Sequence, residues 1–177
     1  MKKQKILNIC SSVLQLLIVV ALFIPNFVIY AFETSGVRAK AEFGLFADFT
    51  NIVKGYSVFG HEFTTAFMTI TSVLLIILTI VATVYVVLII LDALGVKFKI
   101  SDKLKRILSI IAIVCGVLVL ICMLITSLTN VFTTKNAITG EILRKEITYG
   151  TGTCFVFASI IGGVLGLMAN KTTKKSK

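Results

Sequence analysis

Charged side chains are missing from four long stretches of this sequence: residues 6–32, 63–91, 107–134 and 147–170. The whole chain of 177 residues is 57% apolar and only 15% charged, and its mean hydropathy is +1.02. Each stretch is longer than the roughly 20 helical residues that cross a hydrocarbon core of about 30 Å. These absences exclude a soluble globular protein and predict four transmembrane helices.

Residue patterns that carry common catalytic or metal chemistry are also missing. No CxxC, HExxH, GxSxG or P-loop motif occurs, and His61 is the only histidine, so no zinc-ligand spacing exists. The four uncharged stretches hold no acidic or basic side chain that could couple transport to an ion. We therefore expect a protein that is not an enzyme and that has no catalytic residue, cofactor or metal ion.

Positive charge is concentrated in the segments that would lie on one side of a membrane. The N-terminal tail, the second loop and the C-terminal tail carry twelve cations against Asp92 and Asp102, whereas the first and third loops carry six cations and six acids. The positive-inside rule then places both termini of this multi-pass cell-membrane protein in the cytoplasm. In this setting the net charge of +10 indicates contact with the lipid bilayer rather than with nucleic acid.

The uncharged stretches and the breaks between them predict the boundaries of a single membrane domain. Helices are expected at about residues 6–26, 63–92, 107–132 and 148–170. The first helix should end near Pro25, which lacks a backbone donor, and its length favours retention over cleavage as a signal peptide. The remaining segments are extracytoplasmic loops at 27–62 and 133–147, a cytoplasmic loop at 93–106 and a basic cytoplasmic tail at 171–177.

The first outer loop contains the alternation of a half-buried strand. From residue 37 to residue 43, every odd position is apolar and every even position is charged, which is a period of two. Ser35-Gly36 before this run is a turn signal, and residues 27–34 can form the partner strand. The pattern therefore predicts a β-hairpin at the start of the loop.

Weaker patterns extend the predicted sheet. A second hairpin is expected from residues 45–53 and 56–62 around Lys54-Gly55. Residues 141–148 could pair as a fifth strand at the sheet edge, but their sequence is an equally good helix former, so both alternatives stay open. The predicted fold class is a mainly α membrane protein, in which a four-transmembrane-helix bundle carries a small antiparallel β-sheet formed by the extracytoplasmic loops.

Small side chains recur every four residues along the fourth predicted helix, at Gly150, Cys154, Ala158, Gly162 and Gly166. This spacing is the small-xxx-small pattern that lets membrane helices approach closely. It predicts a helix-packing face, which could seat the helix against its neighbours in the same chain or against a second copy.

Several local motifs, together with this architecture, resemble those of claudins and related four-span proteins. PNF at residues 25–27 is similar to the proline and nearby tryptophan of that family, and EFGLF at 42–46 resembles its Gly-Leu-Trp signature with phenylalanine in place of tryptophan. Near the fourth helix, RKE at 144–146, YG at 149–150 and IGG at 161–163 resemble the family's approach to that helix and its glycine-rich centre. The resemblance implies a claudin-like fold with cytoplasmic termini.

The chain also departs from the claudin pattern. The family's signature continues with two cysteines that bridge adjacent strands, whereas Phe49 stands where the first would be expected and the outer loops contain no cysteine. The chain has no tryptophan, and its first outer loop is shorter than is usual in claudins. A tight-junction barrier function is therefore not implied.

Two functions from different classes are open on this sequence. One is a structural, adhesion or accessory role, in which the outer sheet is presented to a second copy or to a larger membrane protein. The other is a small oligomeric channel or transport protein, or an accessory subunit of one. The candidate contact surface for the first role comprises Arg38, Lys40, Glu42, Phe43, Gly44, Leu45, Phe46, Phe49, Tyr56 and Phe59.

Overall fold

The computed structural model describes residues 2–24, 27–34, 37–44, 57–58, 61–62, 66–96, 102–129, 132–135 and 142–170. The described residues belong to two compact units. We call residues 2–20, 75–117 and 155–170 the helical unit, and residues 21–74 and 118–154 the sheet unit, within their described parts.

Four long helices account for most of the described chain: α1 Lys2–Val20, α2 Ala66–Ala93, α3 Asp102–Thr129 and α4 Gly152–Ala169. All four are long and apolar enough to cross a membrane, with mean hydropathies of 1.3, 3.2, 3.2 and 2.0 in their candidate spans. The predicted set of four long apolar helices is thereby confirmed.

The helix ends differ from the predicted boundaries for identifiable reasons. Helices α1 and α3 begin four to five residues earlier than predicted, because the lysines that precede each uncharged stretch are good helix formers. Helix α1 ends at Val20 and continues as a 3₁₀ turn over Ala21–Phe23. The Ile24 N–H donates to the Ala21 carbonyl at 3.4 Å, and Ile24 precedes a proline, a position that disfavours continuation of an α-helix.

The predicted first hairpin is confirmed as strands β1 Val28–Thr34 and β2 Val37–Phe43. The strands pair antiparallel, from Thr34 opposite Val37 at the turn to Val28 opposite Phe43 at the far end. Alternating side chains and an adjacent turn signal are local, so the hairpin could be predicted from the sequence, whereas its register comes from the folded structure.

The third loop forms two further strands, β5 Phe132–Lys135 and β6 Ile142–Thr148, and the sheet order is β2-β1-β6-β5. The strand alternative for residues 141–148 is therefore right and the helical alternative is wrong. The placement at the sheet edge is also wrong, because β6 lies between β1 and β5. Pairing with β1 over six positions satisfies backbone groups on the second edge of β1, which outweighs the local helix propensity.

This additional pairing also moves two predicted helix ends. Helix α3 ends at Thr129, before the predicted end at residue 132, because strand β5 begins at Phe132. Helix α4 begins at Gly152 instead of residue 148, because β6 continues through Thr148.

Residues 57–62 contain a separate two-stranded pairing of β3 Ser57–Val58 with β4 His61–Glu62. Ser57 is opposite Glu62 and Val58 is opposite His61, so the prediction of one continuous return strand over residues 56–62 is wrong. The predicted strand at 45–53 lies outside the described residues.

Candidate functional site

The main sheet has one buried face and one charged face. Val28, Tyr30 and Ile147 point to the buried face and are no more than 1% exposed. The register places seven charged residues on the opposite face, and we call them the charged face: Glu33, Arg38, Lys40, Glu42, Lys135, Arg144 and Glu146. Four of these residues are cations and three are acids, so the charged face carries both signs and a net charge of +1.

Strand β2 supplies three of the seven residues of the charged face, as its alternation predicts. Arg38, Lys40 and Glu42 are exposed, while Ala39, Ala41 and Phe43 are partly buried. Val37 departs from the pattern because it is the first residue after the turn, where it remains 68% exposed.

Opposite charges alternate across the strands of the charged face. Glu33 on β1 lies opposite Arg38 on β2 and opposite Arg144 on β6. The Arg38 guanidinium also donates a 2.9 Å hydrogen bond to the Glu146 carboxylate, and these side chains are 50% and 27% exposed. The face therefore combines an internal ion pair with exposed charge at Lys40 and Glu42.

The other members of the predicted contact surface have different placements. The Phe43 ring packs edge-to-face on Tyr30, with centroids 5.5 Å apart and an interplanar angle of 75°, so it contributes to packing within the sheet unit. Gly44 is partly buried directly after β2. The remaining predicted members lie outside the described residues: Leu45, Phe46, Phe49, Tyr56 and Phe59.

Two glycines of the predicted helix-packing face lie against neighbouring helices within the helical unit. A Cβ atom at Gly162 would be 3.1 Å from the Leu14 Cβ and from the Ser11 carbonyl oxygen on α1. A Cβ at Gly166 would be 2.5 Å from Ser109 Oγ and 2.7 Å from Tyr85 Oη. A methyl group at Gly166 would therefore overlap these atoms, whereas one at Gly162 would need its neighbours to shift by only a few tenths of an ångström.

The other members of this predicted face do not share that placement. Gly150 precedes the first residue of α4, because β6 delays the start of the helix, and Cys154 is exposed. Ala158 is partly buried. Gly163, which is outside the predicted stripe, approaches α3 closely, since its Cβ would be 2.8 Å from Ile113 Cγ1.

A set of buried hydrogen bonds joins the helices of the helical unit beside these glycines. Ser11 Oγ donates to the Gly162 carbonyl at 2.7 Å. Gln15 Nε2 donates to the Ser159 carbonyl at 3.4 Å, and Ser159 Oγ donates back to Gln15 Oε1 at 3.2 Å. The sequence signal for this network was available in α1, where Asn8, Ser11 and Gln15 recur at helical spacing.

A cleft of about 460 Å³ forms at one end of the helical unit, and we call it the basic cleft. The Lys105 side chain, only 5% exposed, makes an ion pair there with the Asp92 carboxylate, which is 45% exposed. In the sequence, both residues contribute only to the charge distribution that predicts the orientation of the chain. No local pattern pairs Lys105 with Asp92. The residues that line the cleft are Gln4, Lys5, Asn8, Ile9, Ile89, Asp92, Ala93 and Lys105.

Comparison with known proteins does not extend the list of functional residues. The resemblance to claudins stays a prediction that rests on sequence motifs. No protein-family model matches this chain, and no curated protein sequence matches it significantly.

Proposed function

We propose that this chain is a non-enzymatic multi-pass protein of the cell membrane that presents the charged face to a second copy or to a larger membrane protein. The observation that carries the proposal is the division of the sheet into a face with the buried side chains of Val28, Tyr30 and Ile147 and a face with seven charged residues of both signs. A face with both signs can meet another such face with its cations opposite the partner's acids, and its charge pattern can select the partner and register.

A channel or transport role has less support from the contacts in the helical unit. The side chains of Ser11, Gln15 and Ser159 make hydrogen bonds between α1 and α4, which uses polar groups that could otherwise line a water-filled path. These contacts favour a packed interior of the helical unit.

Clustering of vesicles tests self-recognition through the charged face. Purified protein is reconstituted into two differently labelled vesicle populations, and clustering is expected only when both populations carry the wild-type chain. Lys40→Glu should reduce clustering, because it reverses one exposed charge and leaves the Arg38–Glu146 pair intact. Lys3→Glu is the matched control, since the same charge reversal occurs at an exposed residue of α1.

The outcomes separate the two kinds of partner. Clustering that is indifferent to Lys40→Glu would contradict a role for the charged face in self-recognition. If the wild-type vesicles stay apart, recognition of a second copy across two membranes is excluded. A photo-crosslinker at position 40 in the native membrane would then have to capture a larger membrane protein for the proposal to stand.

The proposed orientation has its own test. Two variants are made from a cysteine-free chain: one has a single cysteine in place of Lys3, and the other has a single cysteine in place of Lys40. A membrane-impermeant maleimide should label position 40 on intact cells, and position 3 only after permeabilisation. The reverse labelling pattern would contradict cytoplasmic termini and an extracytoplasmic sheet.

A further inference from the structure

The basic cleft contains more positive than negative charge. Its ionisable side chains are those of Lys5, Lys105 and Asp92. Asp92 is engaged by Lys105, while Lys5 is exposed and has no carboxylate partner among the residues that the structure describes. The cleft therefore has a surplus of one cation, which a single phosphodiester would neutralise.

The Asn8 side chain provides a hydrogen-bond donor in the same cleft as the Lys5 ammonium. Its Oδ1 atom accepts from Tyr85 Oη at 3.3 Å and from Asn170 Nδ2 at 3.1 Å. Because the oxygen is occupied by these two bonds, the NH₂ group is the part of the amide left for a further partner. A group that only accepts hydrogen bonds, such as a phosphate, matches both this donor and the Lys5 ammonium.

The cleft lies where three helices change from charged to uncharged sequence. The change follows Lys5 in α1, precedes Asp92 in α2 and follows Arg106 in α3. In a helix that crosses a bilayer, this change marks the boundary between the headgroups and the hydrocarbon. The phosphates of lipids lie at that depth.

Apolar side chains next to this level are open to the surroundings. Ile6, Ile9 and Ile90 are 59%, 57% and 52% exposed, and Ile9 also lines the cleft. Acyl chains would cover such side chains, whereas a soluble phosphate would leave them uncovered. The surroundings of the cleft therefore favour a lipid as the source of the phosphate.

We propose that the basic cleft binds the phosphate group of an anionic phospholipid. Lys5 is the cation that contacts the phosphate, Asn8 donates a hydrogen bond to it, and the Lys105–Asp92 pair forms the polar wall of the cleft. Basic pockets between helices near the membrane surface are suited to anionic headgroups.

Lipid retention and thermal stability of the full chain in detergent test this proposal. Phosphatidylglycerol, phosphatidylcholine and inorganic phosphate are added separately, and bound lipid is counted by native mass spectrometry. Phosphatidylglycerol should bind and raise the unfolding temperature, while the other two should not do so at the same concentration. Lys5→Gln should weaken phosphatidylglycerol binding about fivefold, which corresponds to about 1 kcal/mol.

Lys3→Gln is the matched control, because Lys3 is also exposed in the first turn of α1 but does not line the cleft. The binding loss should be confined to the Lys5 variant. Equal losses in both variants would overturn the proposal in favour of general surface attraction. Equal binding of phosphatidylcholine would overturn the requirement for negative charge, and equal protection by inorganic phosphate would overturn the assignment to a lipid.

Discussion

The Arg38 guanidinium on β2 and the Glu146 carboxylate on β6 meet across the full width of β1, at 2.9 Å. The register places Ala31 of β1 directly opposite Glu146 on one side and Lys40 on the other. A small side chain at Ala31 leaves space for the two long side chains to meet above the middle strand. The pair thereby ties together strands that are 108 residues apart in the sequence.

The first prediction concerns the strength of this ion pair. In a double-mutant cycle, Arg38→Ala and Glu146→Ala should show a coupling of about 0.5 kcal/mol in the free energy of unfolding, because partly exposed pairs contribute little. Thermal unfolding of the purified chain measures it. The control cycle combines Glu42→Ala with Glu146→Ala and should be additive. A favourable coupling as large in the control cycle would show that the measured coupling is not specific to the ion pair.

The second prediction concerns the glycines of α4. Gly166→Ala should destabilise the protein by about 2 kcal/mol, because the new methyl group would overlap Ser109 Oγ and Tyr85 Oη. Gly162→Ala should change stability by less than about 1 kcal/mol. The cost of the tight contact between the new methyl group and α1 is offset by the higher helix propensity of alanine. Unfolding temperatures in one detergent measure both effects. Val164→Ala, on the exposed side of α4, is the control. Equal losses at positions 162 and 166 would contradict the close approach described for Gly166.

The third prediction concerns the reciprocal hydrogen bonds between Gln15 and Ser159. Gln15→Leu and Ser159→Ala should show a coupling of about 1 kcal/mol, a typical value for hydrogen bonds between membrane helices. The same unfolding measurement gives the coupling. The control cycle combines Ser12→Ala with Ser159→Ala and should be additive, because the Ser12 hydroxyl donates to the Ile9 carbonyl of its own helix. Additive effects of Gln15→Leu and Ser159→Ala would show that the two side chains do not interact.

The fourth prediction concerns the asymmetric burial of Lys105 and Asp92. Asp92→Asn should cost about 2 kcal/mol, because it leaves the buried Lys105 ammonium without its carboxylate. Lys105→Met should cost less than about 1 kcal/mol, since Asp92 is nearly half exposed and water can solvate its charge. Thermal unfolding of both variants compares the two costs. A larger loss for Lys105→Met than for Asp92→Asn would contradict the burial of Lys105.

Local sequence patterns were sufficient for part of the fold and part of the candidate site. The absence of charge determined the four apolar helices, because length and hydrophobicity alone decide whether a helix can cross a bilayer. The alternation in residues 37–43 determined which side chains of β2 are exposed, including Arg38, Lys40 and Glu42. Both patterns depend on interactions between residues that are close in sequence.

Only the tertiary structure decided the features that join distant segments. The sequence of residues 142–148 is compatible with strand and with helix, but pairing with the free edge of β1 makes them a strand and brings Glu146 to Arg38. The basic cleft likewise combines Lys5, Asp92 and Lys105 from three different helices. Backbone pairing and charge burial are decided by contacts across the folded chain, and no periodicity within a single segment encodes them.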